Sequence, residues 1–412
     1  MTTRLFGSAG RAALACLVFA AWTPARSHAQ AAPPTGEAER RDTVRTVQSG
    51  IFDRPFIATM GRTAVGGYVE ANANLSREAG IGDGLSMELR RFNIFLFSTI
   101  SSRVRFLSEL EFEHGTEEIA LETALIDVQV NPSFVLRGGI LLPPLGAFNV
   151  NHDSPRWNFV DRPLVSTRVI PATLSEVGFG VHGRLAPRGF GLTYDLYLVN
   201  GLGEGVLSNA EGRTSLASGK SAERFAEDNN GSPAFTGRVA VQQGTLGEVG
   251  LSWYAGVYNT PFIDGERVDA TRRVSLGALD VTTQLGPVEL RGEAALVRVD
   301  VPDDLRDLFG AQQWGYHVDA TMPVWRPRVR GFPDAVVHAD VRLEQIDLND
   351  GRFASTLAPI GDEVTALSVG VSVRPVSGTV LKLNYRRSRT VDLLGNAAVA
   401  GGAFQVGFAT YF

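Results

Sequence analysis

A chain of 412 residues with a formal net charge of −5 and a single cysteine has no basic surplus for a nucleic-acid partner and no thiols for a disulfide framework. Its ordinary hydrophobic share of 44% excludes a bundle of membrane helices.

In chain order, residues 1–29 read as a secretory signal peptide. Arg4 and Arg11 precede an apolar run over 12–22, and Ser27, His28 and Ala29 resemble a cleavage site. Cleavage there removes Cys16, three arginines (Arg4, Arg11, Arg26) and no carboxylate, which leaves a more acidic chain. Residues 30–63 are expected to form a periplasmic N-terminal lead-in, partly disordered.

From 64 to 412 the pattern has a period of two. Over 103–113, Val104, Phe106, Leu110 and Phe112 share one face, and Arg103, Arg105, Glu109, Glu111 and Glu113 the other. Such a run is long enough to cross a bilayer as a tilted strand, and longer than the ~5–6 residues usual in a soluble sandwich. Similar segments fall at 65–76, 85–98, 119–130, 133–142, 177–185, 190–200, 234–242 and 249–258. They continue at 274–284, 288–299, 314–325, 335–347, 364–374, 379–388 and 402–412. Within 92–97 apolar residues occupy both faces, so the side that faces lipid is not fixed there.

The connectors alternate in length. Short ones fall at 131–132, 186–189, 243–247, 285–287 and 375–378. Long ones fall at 143–176, 201–233, 259–273, 300–313, 348–363 and 390–401. Connectors 114–118 and 326–334 fit less well. The expected fold is all-β: a transmembrane antiparallel β-barrel of about sixteen strands over 64–412, with short periplasmic turns and long external loops.

The long loop at 143–175 interrupts the alternation with Pro143, Pro144, Pro155, Pro163 and Pro171, which forbid a central strand. It is expected to fold inward as a constriction, with His152, Asp153, Arg156, Asp161, Arg162 and Arg168 as its polar residues. Charges on strands must face water. That assigns Arg103, Arg105, Glu109, Glu111, Arg238, Arg291, Glu293, Asp340, Arg342, Glu344, Lys382 and Arg386 to the lumen wall, either as a track for a polar solute or as cross-strand ion pairs. The loop at 201–233, rich in Ser, Asn and Gly, reads as a solvent-exposed cap. The final strand ends in Phe412, the form of signal that outer-membrane assembly machinery recognises.

Catalysis has little support. His152, Asp153 and Ser154 are triad residue types, but adjacency does not give triad geometry. His114, His182, His317 and His338 lack metal-ligand spacing, and no phosphate loop or dinucleotide fingerprint is present. No catalytic residue, metal or cofactor is expected.

Leu136-Arg137-Gly138-Gly139 leading to Pro143-Pro144-Leu145-Gly146, the strand Tyr194 to Gly201 (YDLYLVNG) and the closing aromatic strand resemble the phosphate-selective porin O and P family of bacterial outer-membrane channels. The resemblance implies a sixteen-stranded, homotrimeric porin embedded in outer-membrane lipid, with an inward third loop. Phosphate-selective members line the pore with arginines and cluster lysines at the constriction; here Lys220 and Lys382 are the only lysines. The expected function is passive diffusion of small hydrophilic or ionic solutes, including anions such as phosphate, without enzymatic activity. The alternative is a non-conducting outer-membrane barrel with a surface-attachment or structural role.

Overall fold

The computed structural model describes residues 46–412 apart from 56, 57, 61, 116, 187, 188, 221–224, 229 and 245. The signal-peptide segment lies outside the described residues. Sixteen long strands form the fold. The first eight are β1 (Thr63–Glu78), β2 (Ile81–Thr99), β3 (Val104–Glu113), β4 (Glu118–Asn131), β5 (Phe134–Leu141), β6 (Glu176–Leu185), β7 (Gly191–Val199) and β8 (Ala234–Gln243). The second eight are β9 (Gly247–Val257), β10 (Arg273–Leu285), β11 (Val288–Val299), β12 (Gln312–Trp325), β13 (Val336–Asp347), β14 (Glu363–Arg374), β15 (Thr379–Val391) and β16 (Val399–Tyr411).

Each strand pairs antiparallel with the next, and β16 returns to β1, with Gly401 opposite Glu78 and Tyr411 opposite Tyr68. The sheet is therefore a closed barrel without free edges. Phe412 completes the seam: it exchanges backbone hydrogen bonds with Gly67 at 2.9 and 3.1 Å, and its ring stacks on Phe92 at 5.5 Å. Gly67 must lack a side chain, because a Cβ there would lie 2.1 Å from the Asn93 carbonyl oxygen.

The alternation sorts side chains as expected. Leu198, Leu251, Val341, Leu383, Phe404 and Val406 are exposed on the outer face, where an apolar band suits lipid. The ambiguous run on β2 resolves by packing. Phe95 is fully buried inside, against Tyr68, and Phe97 meets Phe52 edge-on, whereas Phe92 packs with Phe112 and Phe412.

Short and long connectors segregate to opposite ends, here called the turn side and the loop side. The loop-side connector Ala79–Gly80 is a tight two-residue hairpin with positive φ at both residues, as primed turns require; in the connector at 114–117, His114 and Gly115 also have positive φ. The expected connector 77–84 is thus mostly strand. Arg103 is a correction: it lies exposed in the turn before β3 and not on the lumen wall.

Two further segments depart from expectation. Within the proposed lead-in, residues 46–55 lie inside the barrel. Val47 donates its N–H to Glu248, Gln48 donates to Asp195 and the Tyr194 carbonyl, and Ile51 is buried. The loop at 200–233 is more than a solvated cap, since Leu202, Val206 and Leu216 are buried. These residues join Ile51 and residues of loop 142–175 (Leu142, Leu145, Val165, Val169, Ile170, Leu174) in one apolar cluster against wall residues such as Leu107, Leu125, Tyr197, Val297 and Ile346. Each buried aliphatic side chain contributes about 1.5–3 kcal/mol, so the lumen holds an apolar core of its own.

Candidate functional site: a lumen crossed by one loop

Loop 142–175 crosses the lumen and touches strands around most of the ring. Its prolines prevent strand pairing, so its backbone polar groups must find side-chain partners. The wall charges supply them. On β11, the buried Glu293 accepts from the N–H groups of Ala147 and Phe148 at 2.8 and 3.1 Å and from the Ser166 hydroxyl at 2.7 Å. Gly146 passes so close, with φ +65, that a Cβ would lie 2.1 Å from Glu293 Oε2. Asn149 closes the base of the loop, donating to the carbonyls of Pro143 and Leu174 and accepting from the Leu174 N–H.

The middle of the loop is held from β11 through β16. Lys382 donates to the Ser154 carbonyl and hydroxyl, at 3.1 and 2.9 Å. Arg291 donates to the Arg156 carbonyl, and Arg374 to the Pro155 carbonyl and Asn158 Oδ1. Asn158 in turn donates to Asp340, and the Leu164 N–H to Glu344. Arg342 donates to the Asp161 carbonyl while gripping Asp319 through two bonds of 2.7 Å. Arg386 lies 3.4 Å from Asp161 and 3.9 Å from Glu344. Most of the expected wall residues therefore anchor the loop. Arg238 and Arg105 instead form cross-strand pairs, with Asp280 and Glu248, and with Asp127.

The loop's own charges differ in their surroundings. Asp153, fully buried, accepts two bonds from Arg54 at 3.0 and 2.7 Å and one from the Tyr411 hydroxyl at 2.7 Å. Burial opposes its ionisation, but Arg54 and then Arg156 hold its carboxyl below the usual range. Asp161 behaves likewise: burial raises it, while Arg90, Gln405 and Arg386 lower it further. His152 faces β3 and β4, its Nε2 2.9 Å from Glu122 and 3.7 Å from Glu109. Burial alone would lower its basicity, but these carboxylates raise it well above the ordinary value. Arg162 lies over Phe148 and donates to Thr173. Arg168 is exposed at the end of a short helical turn, Val165–Val169, and so stands apart from the others. His152, Asp153 and Ser154 do not form a relay: each side chain binds a different partner.

On the turn side, below the loop, is a cavity of about 820 Å³. Arg156, Trp157, Arg291, Arg374, Glu248 and Tyr411 are among its lining residues. Arg291 also pairs with Glu289 and lies 5.3 Å over the Trp157 ring. Arg54 and the rest of residues 46–55 belong to this region and were missed in sequence. The segment is too short and polar to show a period, and its partners lie far away in the chain.

No family model matches the chain. An uncharacterized protein of Aquifex aeolicus is 27% identical over 331 residues, covering 75% of this chain and 72% of that one. Among solved structures, the Salmonella typhi OmpF complex with daunomycin aligns at TM-score 0.55 and 11% identity, covering 87% of this chain and 100% of that one. The outer-membrane channel DcaP of Acinetobacter baumannii aligns at 0.54 and 11%, covering 87% and 99%. The anion-selective porin of Comamonas acidovorans aligns at 0.52 and 12%, covering 85% and 99%. The fold is thus that of a porin-type outer-membrane barrel. At this identity the likeness establishes architecture alone.

Proposed function

We propose that the protein is an outer-membrane channel for passive diffusion of small hydrophilic or ionic solutes, exported by its N-terminal signal and working as a homotrimer without enzymatic activity. One observation carries this reading: a closed barrel with an apolar outer band encloses a charged lumen crossed by loop 142–175. In such a barrel the loop sets the width, and the charges beside it set which ions pass. Anions such as phosphate are the favoured cargo. Arg156, Arg291 and Arg374 converge on the turn-side cavity, and arginine forks suit phosphate oxygens. This arrangement stands in for the lysine cluster of the phosphate-selective porins that the sequence resembles. Phe412, at the barrel seam, is the signal read by the assembly machinery.

Liposome swelling with neutral sugars of increasing size tests the channel. Uptake of the smallest sugars with a sharp size limit supports it. A second reading, a plugged barrel with a structural or attachment role, is favoured by the apolar cluster that joins both long loops to the wall. Absence of uptake of even the smallest sugar by folded protein would select that reading.

A further inference from the structure

On β4, a bulge lets Glu122 and Thr123 both turn inward. Thr123 pairs with Glu109 and Leu121 with Leu110, so Glu122 is the extra residue. Bulges commonly re-aim a side chain beside a functional site. Here the bulge brings Glu122 against Glu109 and Glu111 of β3, and loop 142–175 lowers His152 onto them. All four residues are at most 5% exposed, and their donor atoms lie within 4.8 Å of one another.

The imidazole makes this more than an acidic cluster. His152 Nδ1 is 3.0 Å from the Asn149 carbonyl oxygen. An acceptor there takes the Nδ1 proton, so Nε2 is the ring atom turned toward the carboxylates. That nitrogen is buried with no hydrogen-bond partner among the described residues, as is Glu122 Oε2, 2.9 Å away. At that separation the nitrogen and the oxygen need a cation between them, either a proton or a metal ion. A backbone carbonyl behind a histidine, with its far nitrogen aimed at carboxylates, is the usual outer-sphere arrangement of a metal ligand. Asn93 completes it, donating from Nδ2 to Glu109 Oε1 and Glu111 Oε2 at 2.7 Å each. Arg54 approaches Glu109 at 2.8 Å and Arg91 approaches Glu111 at 3.8 Å. Both are shared, with Asp153 and with Glu70 and Glu113, so they do not serve this cluster alone.

We propose that Glu109, Glu111, Glu122 and His152 bind one divalent transition-metal cation that pins loop 142–175 to the β3–β4 wall. One imidazole nitrogen with carboxylate oxygens and no thiolate suits Zn²⁺ or Mn²⁺. Donors around a ~2.1 Å tetrahedral site stand about 3.4 Å apart, so no pair has to close by more than roughly 1.4 Å, within reach of glutamate rotamers. The cation enters while the loop docks, because the folded cluster is closed to solvent.

The test uses the full-length folded barrel. It is refolded from denaturant in chelator alone, or with Zn²⁺, Mn²⁺ or Ca²⁺, freed of loose metal, and analysed by elemental mass spectrometry. About one equivalent of zinc or manganese per chain is expected, with little calcium. X-ray absorption of the loaded wild type is expected to report nitrogen and oxygen ligands with one imidazole. In folded Glu122→Gln and His152→Gln variants, bound metal falls at least tenfold. Wild-type barrel that retains neither zinc nor manganese overturns the proposal and leaves a proton on Nε2 as the bridge. Retention undiminished in both variants, or an absorption spectrum without imidazole, also overturns it.

Discussion

Replacing Arg54 with methionine removes the charge that ties residues 46–55 to the lumen while keeping much of the side-chain length. The guanidinium is nearly inaccessible, at 4% exposure. It holds Asp153 through two bonds, approaches Glu109 at 2.8 Å and lies 4.0 Å over the Phe95 ring. Removing one member of a buried ion pair costs about 3–5 kcal/mol, because the other charge is left behind. Asp153 keeps the Tyr411 hydroxyl and, at 3.5 Å, Arg156, which argues for the lower end, about 3 kcal/mol. At ~1.4 kcal/mol per factor of ten, the undocked population of the segment rises roughly a hundredfold. Limited proteolysis under conditions where cleavage is slow reads that population directly. Cleavage within 46–55 should accelerate by about two orders of magnitude while the barrel stays intact. A rate within about threefold of wild type would refute the reasoning and mean that the other contacts hold the segment unaided.

Other outcomes follow from the same contacts. Glu293→Ala orphans the Ala147 and Phe148 N–H groups, at about 1–3 kcal/mol for each buried donor, so hydrogen exchange at both should quicken at least tenfold. The pH dependence of the loop has a definite sign. Because the Asp161 carboxyl is held below its ordinary value of 3.8, its contribution is complete above that value and is lost as pH falls through the lower folded one. Protease sensitivity of loop 142–175 should therefore be flat near neutrality and rise in acid; Asp161→Asn should be sensitive throughout and lose this part of the dependence. On the outer face of β15, Leu383→Arg places a charge in the apolar band and should cost about 2–4 kcal/mol if it lies near the midplane, read as a lower urea midpoint. Arg374→Ala should shift the zero-current potential under a salt gradient toward cations, because the cavity loses one of its converging arginines.

The barrel was legible because strand alternation is written locally. Glu109, Glu111, Arg238, Arg291, Arg342 and Lys382 had to avoid lipid, and the observed strands begin and end within a few residues of those expected. Two kinds of information were not local. On β2, aromatic residues on both faces left no period to read, and only packing against Tyr68 and Phe52 separated inside from outside. In the lumen, the alternation told which side of a strand a charge must occupy, misplacing Arg103, which lies in the turn before β3, but it could not name a charge's partner. Glu293 meets Ala147, and Lys382 meets Ser154, only after the chain has closed. The β4 bulge that re-aims Glu122 shows in 119–130 only as a change of phase, the outward apolar residues passing from Ile119 and Leu121 to Ile126, Val128 and Val130. It is the step that assembles Glu109, Glu111, Glu122 and His152.

Single-channel recording in a planar bilayer tests the central claim most directly, with a salt gradient to read selectivity and phosphate added afterwards. The account predicts steady, small conductance steps, an anion-selective zero-current potential and reduced current when phosphate is added. Folded, inserted barrels that pass no current would contradict it and identify the filled lumen as a permanent plug.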